Sequence, residues 1–371
     1  MSTPVTSESA KAPTWASVLR TLSSRTDLDQ ASVTWAMEQI LDGVATPAQI
    51  GAFAMGLRAK GETPDEISAL VGVMLEHCDW VPLPADLIRL DVVGTGGDLS
   101  HSVNISTMAA LVAASVGAPI AKHGNRAASS STGTADVLAE LGVVIDLSPQ
   151  QVAACVNGVG IGFCFAPRHH PALRHAAPVR KEVAFPTFFN ILGPLANPAG
   201  AQAALIGCAD PTLAPALAKT LALRGVRGVV VRGDDGLDEI STATTTTVWD
   251  ARTSEVKILS IDPADWGISR VDQQLLSGGM PERNAELLLK TFRGVDSTDP
   301  DVDRVSAIRD SVTLNAAAAL TAYDAAMGKP VEDLVAAIAA RIPVAREALE
   351  SGAALGVLER WIALTQQLTA A

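Results

Sequence analysis

The sequence predicts an α/β protein: a small all-helical N-terminal domain followed by a larger domain with a mainly parallel, helix-covered sheet. Two observations lead to this prediction. Up to about residue 84 the chain carries helical signals only, and beyond that point segments typical of strands alternate with segments typical of helices. Because a helix that connects two parallel strands crosses one face of their sheet, such alternation produces a parallel sheet covered on both faces.

The N-terminal domain is predicted from the first turns of its helices. The segments at Thr46 and Thr63 each place a threonine before a proline and a Gln or Glu three residues further on, which is the capping-box arrangement. Pro82 and Pro84 then indicate a boundary near residue 85. The predicted division is a disordered start (1–13), a helical domain (14–85, joined by helices from about 170–195) and an α/β domain (86–371).

The elements of the α/β domain are predicted from their apolar patterns and from the turn residues between them. The first strand runs directly into a glycine-rich turn, and a short apolar run, GVVV, forms a later buried strand. In order, we expect strands over 87–93, 118–122, 143–145, 228–231 and about 256–259, and helices from about 106–116 and 135–141 and from Ser148 and Asp210, with more helices in the C-terminal third.

Composition and charge exclude several classes of protein. Apolar residues make up 48% of the chain, but no apolar run approaches 18 residues, so a membrane protein is not expected. A net charge of −12 disfavours binding to nucleic acid, which requires clustered Lys and Arg. The cysteines are scattered, which predicts neither disulfides nor a zinc site, and the absence of an export signal in the first 20 residues favours the cytoplasm.

The segment Gly94-Thr95-Gly96-Gly97-Asp98 lies at the carboxyl end of the first predicted strand, where open α/β sheets bind their ligands. Glycines let the backbone turn sharply and bring its N–H groups to an anion, although a plain tight turn would use the same residues. The spacing differs from those of the common nucleotide-binding loops, so a different phosphate ligand is expected.

Two further polar segments follow. Ser102 to Thr107 precedes an apolar helix, whose first N–H groups and dipole favour an anion, with ordinary helix capping as the alternative. Lys122 to Thr134 brings two cations, an amide, several hydroxyls and two glycines together between a strand and a helix. That density of hydrogen-bond donors exceeds what a turn requires, so both segments are predicted to bind phosphate.

An acidic pair and an arginine complete the candidates. Asp238 and Glu239 follow the GVVV strand and are either Mg²⁺ ligands or part of a solvated loop. Arg180, if it lies on a helix over residues 172–182, either binds a carboxylate through two parallel hydrogen bonds or occupies a solvated face. His169 and His170 lack further metal ligands at suitable spacing, so we expect them to be structural or close to the substrate.

The chain resembles the anthranilate phosphoribosyltransferase family of tryptophan biosynthesis over about residues 14 to 365. The resemblance rests on motifs that occur in the family's order: GTGGD, N-x-S-T, KHGNR-x-x-S-S, G-x-A-D-V-L, F-x-F-A-P-x-x-H-P, P-V-R, F-N-x-L-G-P-L-x-N-P and D-E. It implies an enzyme that transfers the 5-phosphoribosyl group of phosphoribosyl pyrophosphate (PRPP) to the amine of anthranilate with Mg²⁺. It also implies the family's two-domain fold and a homodimer formed through the helical domain.

The resemblance further implies roles for individual residues. Mg²⁺ would be held by Ser106, Asp238 and Glu239, and anthranilate would meet Gly94, Asn125 and Arg180. Lys122 would support catalysis electrostatically, and no residue is identified as a general base. The residues implied to surround PRPP are Gly94, Gly97, Asp98, Ser102, Asn104, Ile105, Ser106, Thr107, Lys122, His123, Gly124, Asn125, Arg126, Ala127, Ala128, Ser129, Ser130 and Thr134.

Some positions depart from the family's common pattern. Ser102 stands where Thr is frequent and Thr134 where Ser is frequent, which keeps a hydroxyl at both positions. Residues 183–186 replace a usual Leu-Gly-x-Arg, a change that concerns the acceptor site. Two alternatives remain: a pyrimidine nucleoside phosphorylase, disfavoured by KHGNR and by the length of 371 residues, and a catalytically silent nucleic-acid-binding relative, disfavoured by the charge and the acidic pair.

Overall fold

One seven-stranded sheet forms the centre of the larger part of the molecule. The structure is a computed structural model that describes residues 12–98, 100–127, 132–331 and 333–370. The strands are β1 (Leu90–Gly94), β2 (Ile120–Gly124), β3 (Ile161–Phe165), β4 (Ala203–Gly207), β5 (Arg227–Gly233), β6 (Thr246–Ala251) and β7 (Lys257–Ile261). Their order is β3-β2-β1-β4-β5-β6-β7, with β1 to β5 parallel and the last two pairings antiparallel.

Helices cover both faces of this sheet and form the N-terminal part. Within the described residues they are α1 (Trp15–Ser23), α2 (Gln30–Leu41), α3 (Pro47–Lys60), α4 (Pro64–Glu76), α5 (Ile105–Ser115), α6 (Thr134–Glu140), α7 (Pro149–Val159), α8 (Ala166–His169), α9 (Ala177–Val183), α10 (Phe188–Leu195), α11 (Ala214–Leu223), α12 (Pro281–Arg293), α13 (Val302–Ala326), α14 (Leu334–Glu350) and α15 (Ala353–Ala370). Short 3₁₀ helices span Pro171–His175, Pro263–Trp266 and Gln273–Leu276.

The predicted capping boxes are present. The N–H of Gln49 donates to Thr46 Oγ1 at 3.3 Å, and Gln49 Oε1 accepts from the N–H of Thr46 at 2.9 Å. Thr63 and Glu66 repeat this exchange at the start of α4. Each pair satisfies two N–H groups that a helix start leaves without partners, which explains why both helices begin where the sequence predicts.

The core forms two clusters, one on each face of the sheet. Because successive side chains of a strand point to opposite faces, Val229 and Val231 of β5 enter one cluster and Val230 enters the other. The first cluster joins the sheet to α5, α13 and α15, whereas the second joins it to α1–α4 and α9–α11. The helices near residues 170–195 therefore pack with the N-terminal helices, and the division of the chain at residue 85 stays a prediction.

Three expectations about strands need correction. Residues 143–145 form no strand, because the N–H of Val143 returns to Leu138 O at the end of α6 and the N–H of Val144 donates to Thr365 Oγ1. The strand expected to end at Lys122 continues to Gly124, which places Lys122 and His123 inside β2. Strands β3, β4 and β6 were not predicted; β3 and β4 are buried apolar segments that periodicity does not distinguish from helix.

The predicted disordered N-terminus, residues 1–13, falls almost entirely outside the described residues. Among those described, no helix has both the length and the apolar character required to cross a membrane.

Candidate active site

The carboxyl ends of β1 and β4 and the loop after β5 meet at one edge of the sheet. The N–H of Thr95 donates to Gly207 O at 2.8 Å, and the N–H of Gly96 donates to Asp238 Oδ2 at 2.9 Å. Gly96 and Gly97 adopt φ values of 64° and 84°, which lie in the left-handed region that glycine tolerates. These hydrogen bonds hold the glycine segment against the end of β4 and the loop that carries Asp238.

Two glycines at these strand ends make room for Asp238. A β-carbon at position 94 would overlap with Oδ2 of Asp238, and one at position 207 would overlap with its carbonyl oxygen. Gly207 was missed at the level of sequence, because the strand that it ends was not predicted. Its signal was the small residue directly after the apolar run Ala203–Ile206.

Asn315 of α13 holds the loop that carries the acidic pair through two hydrogen bonds to Ile240. Its side-chain oxygen accepts from the N–H of Ile240 at 3.0 Å, and its amide nitrogen donates to Ile240 O at 3.1 Å. The neighbouring carboxylates have structural partners: Asp234 accepts from Thr245 and Thr247, and Asp235 accepts from Ser241. Asp238 and Glu239 are thus the carboxylates that this loop presents to the site.

Three carboxyl groups crowd this edge of the sheet. Burial, together with the nearby carboxyl group of Asp98, raises the pKa of Asp238 to about 7. Burial and then Asp238 raise the pKa of Glu239 well above its usual range. This cluster of acidic groups therefore favours binding of a cation, because positive charge would relieve the repulsion among its members.

Lys122 is the buried cation of the site. Its side chain lies in β2 and is 1% exposed, and its ammonium donates to Val92 O and, at 3.3 Å, to Ser106 Oγ. Burial lowers the pKa of Lys122, an effect opposed by Asp91, Glu239 and Asp238. Lys122 thus connects β1 to the first turn of α5 and partly neutralises the acidic groups.

The first turn of α5 adds backbone and hydroxyl groups to the same edge. Asn104 is the N-cap, yet its side chain makes no capping hydrogen bond to the helix. The side chains of Ile105 and Thr107 are buried, so they face the core, whereas Ser106 is half-buried and contacts Lys122. Helix capping, the alternative to anion binding for this segment, is therefore not the role of the Asn104 side chain.

Asp136 of α6 organises the segment after β2. Its carboxylate accepts from the N–H groups of Ala127 at 2.9 Å and Gly133 at 3.0 Å, and from the Arg126 guanidinium at 2.8 Å. A β-carbon at Gly133 would overlap with the backbone of residues 126 and 127. Asp136 was not singled out from the sequence. The predicted ligand residues Ala128, Ser129 and Ser130 lie outside the described residues.

The segment before α12 forms another wall that was missed at the level of sequence. Ser277 pairs with Ser102 in an isolated antiparallel bridge, and Thr132 Oγ1 donates to Gly279 O at 2.7 Å. Asn284 accepts from the N–H of Gly279 at 2.7 Å and donates to Asn104 Oδ1 at 3.0 Å. This wall therefore contacts both polar segments that were predicted to bind phosphate.

Below the site lies a buried polar layer. Asp91 accepts from the N–H of His123 at 3.1 Å and from the Asn197 amide at 2.8 Å, and burial raises its pKa to about 6. The ring of His123 hydrogen-bonds to Gly193 O at 2.7 Å, and His170 lies beside it with ring centroids 5.1 Å apart. Burial lowers the pKa of His123 to about 4 and that of His170 to about 2, so both rings are neutral.

Profiles of known families match both parts of the chain. The "Glycosyl transferase family, a/b domain" matches residues 87–355, and the "Glycosyl transferase family, helical bundle domain" matches residues 16–78. The anthranilate phosphoribosyltransferase of Rhodococcus jostii is 50% identical over 357 residues, which cover 96% of this chain and 95% of the relative. That of a Nocardioides species is 49% identical over 352 residues, or 95% of this chain and 99% of the relative.

The chain belongs to the anthranilate phosphoribosyltransferase family.

Solved structures of the anthranilate phosphoribosyltransferase family share the fold. The enzyme from Thermus thermophilus has a TM-score of 0.83 at 36% identity and covers 94% of this chain and 99% of its own. The Saccharomyces cerevisiae enzyme in complex with PRPP and Mg has a TM-score of 0.80 at 27% identity, with 95% of this chain and 98% of its own covered. The predicted family, fold class and glycosyltransferase activity are therefore confirmed, which favours this activity over the two alternatives.

The structure brings many of the residues implied by the anthranilate phosphoribosyltransferase family to one edge of the sheet. Gly94, Asp98, Ser106, Lys122 and the acidic pair share the contacts and charges described above. Their roles as ligands of PRPP and Mg²⁺ stay predictions.

Arg180 lies on α9, beside α10. The helix expected over residues 172–182 is divided, since Pro171–His175 is a 3₁₀ helix and α9 starts at Ala177. The guanidinium of Arg180 lies 5.4 Å from the ring centroid of Phe189 and pairs with no carboxylate of the described residues. Arg180 is thus an exposed cation without an ion pair among the described residues.

Proposed function

We propose that this chain transfers the 5-phosphoribosyl group from PRPP to the amine of anthranilate, giving N-(5-phosphoribosyl)anthranilate and pyrophosphate in tryptophan biosynthesis. The observation that carries this proposal is the convergence of the glycine segment, the start of α5, buried Lys122 and the acidic loop at the carboxyl edge of a parallel sheet. This edge is where α/β sheets bind phosphorylated ligands. The relatives that are 49–50% identical in sequence are named for this activity.

The phosphate-binding part of the proposal concerns the residues implied to surround PRPP. The absence of side chains at Gly96 and Gly97 leaves space for an anion beside the glycine segment, and the start of α5 adds the positive end of a helix dipole. Lys122 supplies a fixed positive charge where negative charge builds up on the departing pyrophosphate. Charges that are already in place stabilise a transition state without reorganising, which makes this electrostatic support effective.

The residues present fit a magnesium ion. No three His, Cys, Asp or Glu side chains of the described part of the chain form a complete metal cage. Mg²⁺ characteristically takes one or two carboxylates and completes its coordination with substrate phosphates and water, and the crowded acidic groups supply such carboxylates. We assign Asp238, Glu239 and the Ser106 hydroxyl as its ligands. When bound, Mg²⁺ would supply positive charge beside the pyrophosphate oxygens.

The acceptor part of the proposal concerns Gly94, Asn125 and Arg180. A guanidinium matches a carboxylate in shape and charge, and Arg180 is unpaired among the described residues. The amine of anthranilate then attacks C1 of the ribose as the bond from C1 to pyrophosphate breaks, which inverts this centre. An aromatic amine is nucleophilic before it loses its proton, so we assign no general base and expect positioning to provide much of the rate.

The experiment follows the fluorescence of anthranilate in the presence of the full chain. We expect it to fall only when PRPP and Mg²⁺ are both supplied, and to stay constant when ribose 5-phosphate, which has no pyrophosphate leaving group, replaces PRPP. If folded protein leaves the fluorescence unchanged with PRPP at every Mg²⁺ concentration, the proposed reaction is wrong.

The assembly and location complete the proposal. We expect a homodimer formed through the helical domain, with a mass in solution of twice 38.3 kDa by light scattering. A mass of one chain across the micromolar range would contradict the dimer. The cytoplasmic location stays a prediction from the sequence.

A further inference from the structure

Asn284 contacts the site without being among the residues implied to bind a ligand. It is the fourth residue of α12, is 3% exposed, and its amide lies between Gly279 and Asn104. A β-carbon at Gly278 would overlap with Oδ1 of Asn284, so this amide is packed directly against the backbone. Its position is therefore closely constrained.

The orientation of the two amides follows from one backbone group. The N–H of Gly279 can only donate, so the atom of Asn284 that faces it at 2.7 Å must be the oxygen. The amide nitrogen of Asn284 then faces Asn104, which must present its own oxygen at 3.0 Å. This leaves the amide nitrogen of Asn104, which has no acceptor among the described residues, as a donor.

The surroundings hold this chain of hydrogen bonds in place. The N–H of Val103 donates to Leu276 O at 2.9 Å, and the N–H of Gly278 donates to His101 O at 2.8 Å. The segment of Asn104 and the segment of Gly279 are thus joined on both sides of the isolated bridge between Ser102 and Ser277. Because Asn104 does not cap its own helix, its side chain is available for a ligand at the start of α5.

We infer that Asn284 is a positioning residue that fixes the amide of Asn104 with its N–H₂ group toward the phosphates of PRPP. This inference rests on the proposed function. An amide that is free to rotate presents its oxygen as readily as its nitrogen, and an oxygen facing a phosphate is repulsive. Fixing the orientation removes that unfavourable arrangement before the substrate binds.

The test is a double-mutant cycle read by calorimetric binding of PRPP with Mg²⁺ and no acceptor. We expect Asn284→Leu and Asn104→Ala each to weaken PRPP binding by roughly 10-fold to 150-fold, the range for one hydrogen bond to a charged group. The double variant should bind no more weakly than Asn104→Ala, because Asn284 acts through Asn104. In turnover, the KM for PRPP should rise while the KM for anthranilate at saturating PRPP stays unchanged.

A second variant guards against a folding defect. Asn284→Asp retains an acceptor for Gly279 but makes Asn104 turn its nitrogen away from the ligand, so it should weaken PRPP binding to a similar extent. That loss should vanish in the Asn104→Ala background, whereas simple repulsion by the added charge would persist there. Asn157→Asp, on the exposed side of α7, is the matched control and should bind PRPP like the wild type.

The outcomes separate the inference from the proposed function. Additive losses in the cycle, or unchanged PRPP binding in both Asn284 variants, would overturn the inference and leave the proposed function intact. Failure of the wild-type chain to bind PRPP at all would overturn both.

Discussion

At the scale of single residues, the question for Arg180 is whether its guanidinium binds the acceptor carboxylate or lies on a solvated helix face. Its guanidinium packs on Phe189 and has no acidic partner in the described part of the chain. A planar guanidinium binds a carboxylate through two parallel hydrogen bonds, which an ammonium group cannot reproduce. The role of Arg180 as the partner of the acceptor carboxylate is a prediction that substitution can test.

We expect Arg180→Ala and Arg180→Lys to raise the KM for anthranilate by about 10-fold to 150-fold, since a hydrogen bond to a charged group contributes roughly 1.5 to 3 kcal/mol. The KM for PRPP should change little. Steady-state kinetics with each substrate varied in turn measures both values. Lys181→Ala, at the exposed neighbouring position, is the control, and an unchanged KM for anthranilate in Arg180→Ala would remove this residue from the site.

The acidic pair permits a second test at this scale. Asp238→Asn with Glu239→Gln keeps the size of both side chains but replaces their charges with neutral amides, which are poorer Mg²⁺ ligands. We expect the double variant to fold and to need much more Mg²⁺ for turnover with PRPP, as read from a Mg²⁺ titration. Glu140→Gln, on an exposed position of α6, should match the wild type. An unaltered Mg²⁺ titration would mean that the pair does not bind the metal.

At the scale of elements, the ends of β1 and β4 can lie close to Asp238 because Gly94 and Gly207 have no side chains. Asp238 passes so close to the end of β4 that any side chain at Gly207 would overlap with its carbonyl oxygen. The acidic loop cannot yield easily, because Asn315 holds Ile240 by two hydrogen bonds. The close approach of the acidic loop to β4 thus depends both on the absence of a side chain at Gly207 and on the hydrogen bonds from Asn315.

We therefore expect Gly207→Ala to lower the free energy of unfolding by about 3 kcal/mol or more, at the upper end of the range for overpacked cores. Turnover should fall as well, because the loop that carries Asp238 must move. Gly72→Ala is the matched control, since it lies within α4 with open space around it and should add about 0.5 to 1 kcal/mol. Chemical denaturation measures both changes, and equal stabilities of the two variants would contradict this account.

At the scale of the whole molecule, stability should depend on the neutral histidines beneath the site. Burial lowers the pKa of His170 to about 2, whereas the unfolded chain has a histidine pKa near 6.5. As the pH falls below 6.5, the unfolded state takes up a proton that the folded state does not, so folding stability is lost. His123, with a pKa of about 4, acts in the same direction, and Asp91, with its pKa raised to about 6, acts in the opposite one.

The variant His170→Gln isolates one of these contributions, because its amide can still donate to Ala196 O as the ring does at 3.0 Å. Between pH 6 and pH 4.5 we expect the free energy of unfolding to fall less steeply than in the wild type, by up to about 1.4 kcal/mol per pH unit. Denaturant titrations at several pH values provide the slopes. Parallel curves for the two proteins would show that His170 is protonated in the folded state.

The order of residues along the chain was enough to predict the fold class, the helix starts at Pro47, Pro64 and Pro149, the family, and several of the residues that meet at the site. These features depend on local chemistry. A capping threonine or serine, a proline and a glycine-rich turn act on residues that are close in sequence, so their effects can be predicted from the sequence. The family motifs add positions that share an edge of the sheet, since the carboxyl ends of parallel strands meet there.

How those residues are held depends on the tertiary structure. Lys122, already in a predicted strand, is buried because β2 lies between β1 and β3, a pairing that no local signal in the chain predicts. Each of four residues, Gly207, Asp136, Asn284 and Asn315, acts on at least one distant partner, from 9 positions away for Asp136 to 180 for Asn284. Close packing and hydrogen bonds between distant segments depend on how the chain folds back on itself, and a linear pattern does not contain that information.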